Sequence, residues 1–420
     1  MRIAIIAAIF LLFWQFPVSL SKKLKGPLDI SDPEEVWMNG TLLSEIDPII
    51  EEEIKQQRIP GAVVLVGRFG KIVKRKAFGL RAFDPINESM TEDTIFDLAS
   101  VSKPVGTASM AMKLIEAKNL SLNDTVASII TNFSNHSKEN VQIFHVLTHT
   151  TGLQAYADAQ EVNRTYPELP SHDAVVEYIA NLTQKKPEGT AYIYSCLNFL
   201  TQMRINENKT GKTGDAFLKE NVFGPLQMKD TGWFLSEEQI SRTAQTIRNQ
   251  RGKVHDPLAN FYLSSGTKTH CSGNAGLFST VNDLSLYVRM LINEGKFNGT
   301  KIFEPETVND LLLKRQLSPD NDEPRTYGWG ISVSCPWSTK INHLDNFEIV
   351  YHTGYTGTYV WMDKASRAFF ILLTNRVLMG DKGDASIAYK RTADKVLRSL
   401  DIYKQYFINN PKCENETFHS

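Results

Sequence analysis

A chain of 420 residues is long enough for one large domain or two modest ones. Its 42% hydrophobic and 22% charged residues are those of an ordinary globular protein. A formal net charge of -1 provides no basic footprint, so nucleic acid is excluded as an expected partner.

Arg2 precedes the apolar run IAIIAAIFLLFW, and QFPVSLSKK follows, with the small residues Ser19 and Ser21 near a cleavage point. This order of charge, apolar run and small residues predicts a signal peptide over residues 1–21. The alternative is a retained type II signal anchor, although Gln15 and Pro17 interrupt the run short of a spanning length. No later stretch is apolar enough to span a membrane. After an extension over 22–41, LSEIDPIIEEEIKQQ (43–57) predicts an amphipathic helix. IPGAVVLVGRFGKIVKRKAFG then predicts a hairpin about an RFGK turn. Ser100 to Ala117 reads as a helix that tolerates Pro104 only in its first turn. Residues 118–265 are polar and loop-rich, with helical stretches such as SHDAVVEYIANLTQ. Strand character returns in FEIVYHTGYTGTYVWMD and RAFFILLTNRV, separated by a KAS turn, and ASIAYKRTADKVLRSL closes the chain as a helix.

The expected organisation is one mixed α/β (α+β) domain over about 42–407, an antiparallel sheet flanked by helices. Its α/β part covers about 42–99 and 270–407 around an all-helical insertion at about 100–269, and a tail follows over 408–420. Eleven Asn-x-Ser/Thr sequons, at Asn39, Asn87, Asn119, Asn123, Asn132, Asn135, Asn163, Asn181, Asn208, Asn298 and Asn415, favour a glycosylated, secreted protein. In that compartment Cys196, Cys271, Cys335 and Cys413 become disulfide candidates with three possible pairings. No two of them lie within 60 residues of each other, which does not fit a zinc site, and no metal or cofactor is expected.

Ser-x-x-Lys occurs at Ser19, Ser100 and Ser265. The first falls in the leader and the third reads as loop. At the second, Lys103 sits one turn beyond Ser100 on the same helix face, within reach of its hydroxyl. A serine needs an adjacent base to become a nucleophile, and desolvation together with the helix dipole would lower the lysine pKa enough to provide one. The Ser100 N–H would be an oxyanion donor.

FDLASVSKPV resembles the nucleophile segment of the serine β-lactamase-like superfamily, which includes class C β-lactamases, DD-peptidases and related esterases. Four further segments match in order. VLTHTTGL (146–153) is similar to the family's Leu-Leu-x-His-x-Ser/Thr-Gly-Leu segment, GTAYIYSCLNFL (189–200) to its Tyr-Ser motif, and VHDPLANFYLSSGTKTHCSGNAGLFSTVNDL (254–284) to its Ala-Gly-Leu-Phe-Ser-Thr loop. YHTGYTGTYVWMD (351–363) resembles the third motif in the His-Thr-Gly form of the esterase-like branch. The resemblance covers roughly residues 42–400 and implies a β-lactamase/transpeptidase-like fold.

It also implies roles. Ser100 corresponds to the acylated nucleophile, Lys103 to its base partner, and Tyr194 to the phenol that shuttles the proton. Tyr192 corresponds to a packing aromatic, and His149 to a structural residue of its loop. The Tyr355 N–H corresponds to the second oxyanion donor, with Thr353 and Gly354 beside it in the substrate-binding strand. His352 corresponds to the cationic or polar position that orients substrate or Tyr194. Cys196 stands where many members have Asn or Asp, and a thiol is a poor substitute for bonding a substrate amide. A Cys196–Cys271 disulfide is one of the pairings open. The expectation is a secreted eukaryotic serine hydrolase acting through an acyl-enzyme on a small-molecule or peptide substrate, ester preferred. The alternatives are a peptidase or β-lactamase and a catalytically weak binding module. The absence of GxSxG and HExxH counts against an α/β-hydrolase and a zincin.

Overall fold

The computed structural model describes residues 30–266, 268–315, 317, 325–332 and 349–400. The expected leader, Cys335, Cys413, Asn415 and the C-terminal tail lie outside the described residues. The predicted helix over 43–57 is two helices, α1 (Gly40–Ser44) and α2 (Ile46–Lys55), joined at Glu45. Asn39 caps α1 by accepting the Leu42 N–H.

The hairpin forms as expected from β1 (Gly61–Arg68) and β2 (Lys71–Ala82). Phe69 and Gly70, with φ of 51° and 75°, make the two-residue turn, whose left-handed corners match the right-handed twist of the strands. With β3 (Glu88–Ser89), β8 (Gly330–Ser332), β9 (Ile349–Gly354), β10 (Thr358–Asp363) and β11 (Ala368–Thr374) they build an antiparallel seven-stranded sheet in the order β3-β2-β1-β11-β10-β9-β8. The N-terminal hairpin thus closes against the C-terminal strands through β1 and β11, which pair from Ala62↔Thr374 to Arg68↔Ala368. Two small ribbons stand apart. One joins β4 (Phe96–Asp97) to β5 (Phe278–Ser279), the other β6 (Lys296–Phe297) to β7 (Thr300–Lys301).

The central strands are buried on both faces, which explains their unbroken apolar runs. Ala62, Val64 and Val66 of β1 face one side with Phe370 and Leu372, packed on Ile46 and Ile50 of α2 and on Val396 and Leu397 of α9 (Ser386–Ser399). Val63 and Leu65 face the other side with Phe369, Ile371 and Leu373, packed on α8 (Val281–Ile292) and continuous with the core of the helical region. Each such Leu, Ile or Phe removed from water contributes about 1.5–3 kcal/mol.

Helices α3 (Ser109–Glu116), α4 (Ile143–Leu147), α5 (Ser171–Ala180), α6 (Cys196–Thr210) and α7 (Pro257–Leu263) belong to that region, with shorter helices between them. The segment beginning at Ser100 is not the uniform helix the sequence suggests. A 3-10 turn (Ala99–Val101) leads into a π-helical turn (Lys103–Ala108), and only then into α3. Pro104 has no N–H to donate, and the wider turn accommodates its ring; such turns recur at functional sites.

Candidate active site

β4 delivers the chain to Ser100. The residue before it, Ala99, is held at φ 46°, a left-handed conformation that an alanine adopts at a cost of about 1–2 kcal/mol. Three contacts clamp this turn. The Leu98 N–H donates to Leu277 O (3.0 Å), Thr358 Oγ1 donates to Leu98 O (2.9 Å), and Thr356 Oγ1 donates to Asp97 O (2.7 Å). Gly354 permits the approach: a Cβ there would lie 2.4 Å from Leu98 O and 2.1 Å from Thr358 Oγ1. The third motif is thereby pressed onto the first.

Lys103 is fully buried behind Ser100. Its ammonium has three N–H donors and meets three acceptors: Ser100 Oγ at 3.0 Å, Asn274 O at 2.9 Å and Cys196 Sγ at 3.5 Å. Nζ also lies 5.0 Å from the Tyr194 ring centroid. Burial alone would lower the lysine pKa, as the sequence reading expects. Charge attraction to Cys196 and Tyr194, with a contribution from Asp256, overrides it, and Lys103 is held above its ordinary value. This direction is opposite to the lowering that the sequence reading expects. The resting group is an ammonium that donates to Ser100.

Tyr194 is partly exposed at the mouth of the site, between two histidines. The His149 ring lies 4.6 Å from it and the His352 ring 6.3 Å, centroid to centroid. His149, at φ 59° just beyond α4, accepts the Ser195 N–H on Nδ1 at 3.1 Å, so its proton sits on Nε2. That nitrogen is buried without a partner. Burial and the Lys103 charge hold His149 well below the usual histidine range. His352 donates from Nδ1 to Thr353 O at 2.7 Å, which leaves Nε2 as an acceptor. Burial, then Lys103, push its pKa down to about 3. Of the two options for His352, this direction favours the neutral polar one.

Tyr355 takes the first corner of the Gly354–Gly357 turn, closed by the Gly357 N–H to Gly354 O bond at 2.9 Å. Its N–H donates to no backbone group among the described residues. Ser100, Thr353, Gly354 and Tyr355 line one cleft of about 580 Å³ together with Tyr194 and His352. Tyr192, expected only to pack, also lines it, under the Arg325 guanidinium at 4.9 Å. Arg376 covers the Tyr355 ring at 4.5 Å. Cys196 begins α6 beside Lys103, and Cys271 is buried, accepting the Asp215 N–H. Both are free thiols, so the Cys196–Cys271 pairing is not made: each sulfur faces its own partner. Among the described residues no group of His, Cys, Asp or Glu could hold a metal ion.

The sequence reading missed Asp97, His255, Asn274 and Arg376. All four stand inside segments quoted above, at positions to which no role was assigned.

The arrangement provides a hydroxyl, a buried cation on it, a phenol beside both, and an unengaged N–H across the cleft. The β-lactamase family profile matches residues 46–394. Among curated proteins, the chain is 26% identical over 384 residues to the "N-acetylmuramyl-L-alanine amidase" of Bacillus subtilis (strain 168), covering 83% of this chain and 84% of that one. It is equally identical over 384 residues to the "Putative D-alanyl-D-alanine carboxypeptidase" of Escherichia coli (strain K12), covering 82% and 85%. Among solved structures it is similar to "a class C beta-lactamase" (TM-score 0.68, 19% identity, 86% and 97% covered). It is also similar to "EstCE1, a hydrolase with promiscuous acyltransferase activity" (TM-score 0.67, 19% identity, 85% and 98% covered). With the fold, the ordered motifs and the profile in agreement, the chain belongs to the β-lactamase family of serine hydrolases.

Proposed function

We propose that the protein hydrolyses a small ester or amide through an acyl-enzyme on Ser100, with esters preferred. The observation that carries this is the buried Lys103 ammonium, 3.0 Å from a Ser100 hydroxyl that opens onto the cleft. Ser100 Oγ attacks the carbonyl carbon, and the oxyanion forms between the Ser100 and Tyr355 N–H groups. With Lys103 held as a cation, the Tyr194 hydroxyl gives its own proton to the leaving group as its oxygen takes the one from Oγ, so the phenol is neutral before and after the step. Water entering by the reverse sequence releases the acid. Two features support the ester preference. Cys196 presents no amide to bond a substrate peptide group, and a cationic lysine suits an alkoxide leaving group, which needs less protonation than an amine.

An amide substrate is the second reading, favoured by the names of the amidase and carboxypeptidase relatives. Intact mass after treatment with a fluorophosphonate tests the first step. A single adduct on Ser100, lost in Ser100→Ala, is expected; an adduct on another serine would overturn the assignment. Turnover of paired ester, peptide and β-lactam substrates then decides between the readings.

We further propose that the protein is a secreted, glycosylated eukaryotic enzyme, a reading supported by the apolar start and the sequons. Ten of the eleven sequon asparagines lie among the described residues, and all of these but the half-buried Asn181 are exposed. Material from a secretory host should begin near residue 22 and lose mass with an N-glycosidase. An unshifted band that retains Met1 would sink this.

A further inference from the structure

Asp97 stands three residues before the nucleophile and is 1% exposed. A buried carboxylate is tolerated only when its oxygens are bonded. Its partners are all backbone groups of the site. Oδ1 accepts the Ala99 N–H at 2.9 Å, and Oδ2 accepts the His255 N–H at 2.8 Å. The first bond spans the left-handed Ala99 and fixes the direction in which the chain presents Ser100 and its N–H. The second reaches a segment 158 residues away.

That segment touches the rest of the chemistry. The His255 ring stacks on Tyr355, centroids 5.8 Å apart and planes 22° apart, and Arg376 lies over the same ring. The next residue, Asp256, caps α7 through the Ala259 N–H (2.7 Å) and accepts from Asn274 Nδ2 (3.4 Å), the residue whose carbonyl receives Lys103. The Asp97 carbonyl is itself bonded by Thr356, one residue beyond Tyr355. Nucleophile turn, oxyanion turn and lysine acceptor therefore converge on one carboxylate and the loop it holds.

We propose that Asp97 is the positioning residue of this site: its carboxylate ties the Ala99–Ser100 turn to the loop whose His255 backs Tyr355, setting the Ser100 and Tyr355 N–H groups as a single oxyanion site. This rests on the acyl-enzyme reading above. Asp97 touches no substrate. It acts on the transition state through geometry, so its loss slows bond formation more than it weakens binding.

Asp97→Asn keeps the size and one acceptor oxygen but cannot accept both N–H groups. The test is the rate of Ser100 acylation by a fluorophosphonate as a function of its concentration, alongside the thermal midpoint. A displacement of about 1 Å costs up to about a hundredfold, so saturating acylation should slow by about tenfold or more, with half-saturation changed less than about threefold. A saturating rate within about threefold of the parent, or an effect confined to half-saturation, would overturn the proposal. If Asp97→Asn does not fold, His255→Ala carries the test. It keeps the backbone N–H on Asp97 but removes the ring behind Tyr355, and it should slow acylation in the same way; an unchanged rate would overturn the proposal. If the parent protein forms no Ser100 adduct at all, the hydrolase reading fails, and this inference falls with it.

Discussion

On one side of Ser100 lies Lys103, sealed from water with every ammonium donor engaged; on the other lies Tyr355, 66% exposed, its ring in contact with both His255 and Arg376 at the edge of an open cleft. The inner side has one arrangement of charges. Burial and the Lys103 charge hold both of its histidines below the usual range and so neutral. The outer side is aromatic and cationic and can receive many shapes. Reaction type is thus written on the inner side and substrate choice on the outer, which is why the first can be argued from the residues and the second must be measured.

The largest effect that would break this division is at Lys103. Lys103→Met removes the cation and strands the Asn274 carbonyl in a buried site. Acylation is expected to fall by about 10³-fold or more, roughly 4 kcal/mol of barrier, in pre-steady-state labelling. Retention of a tenth of the rate would show that the buried charge is not needed. Tyr194→Phe comes next. If the phenol carries the proton, the loss is about 10²- to 10⁴-fold, with little change in thermal midpoint because Tyr194 is partly exposed.

The neutral histidines give a pH signature confined to the inner side. His352 titrates at about 3 in the folded protein against 6.5 in the unfolded chain. The unfolded chain therefore binds the extra proton first. The stability His352 contributes is complete above about pH 6.5 and declines as pH falls towards 3, at about 1.4 kcal/mol per unit. By pH 5 this single group should cost roughly 2 kcal/mol. Urea unfolding of His352→Gln between pH 7.5 and 5 should show a shallower loss than the parent; parallel slopes would refute the neutral assignment. The smallest effect belongs to the outer side. Arg376→Ala should raise KM for anionic esters by about fivefold, roughly 1 kcal/mol, and leave kcat nearly unchanged. A fall in kcat instead would move Arg376 to the catalytic side of the divide.

Much of the inner side was legible because its contacts are local or carry residue-type signatures. Ser100 and Lys103 are one turn apart, and Tyr194 and Cys196 come from a short motif at the start of α6. The hairpin turn at Phe69–Gly70 and the helix α9 follow from patterning that packing does not contradict. What escaped was set by partners distant in sequence. The Lys103 pKa depends on Cys196, 93 residues on, and its sign follows from neighbours rather than from burial. His255 reaches Asp97 through a backbone N–H, which no side-chain motif records. The break between α1 and α2 and the π turn at Lys103–Ala108 are backbone adjustments within segments whose apolar spacing reads as continuous helix.

The sheet's two borders carry a consequence for handling and for life at high concentration. The outermost strands are β3, two residues long, and β8, three residues long among those described, while the long apolar ladders of β1, β10 and β11 lie inside. A neighbouring molecule that approaches β3 finds a strand of two residues, too short by itself to template a further one. Substitutions that lengthen β3 into a regular apolar strand are the ones expected to promote edge-to-edge association.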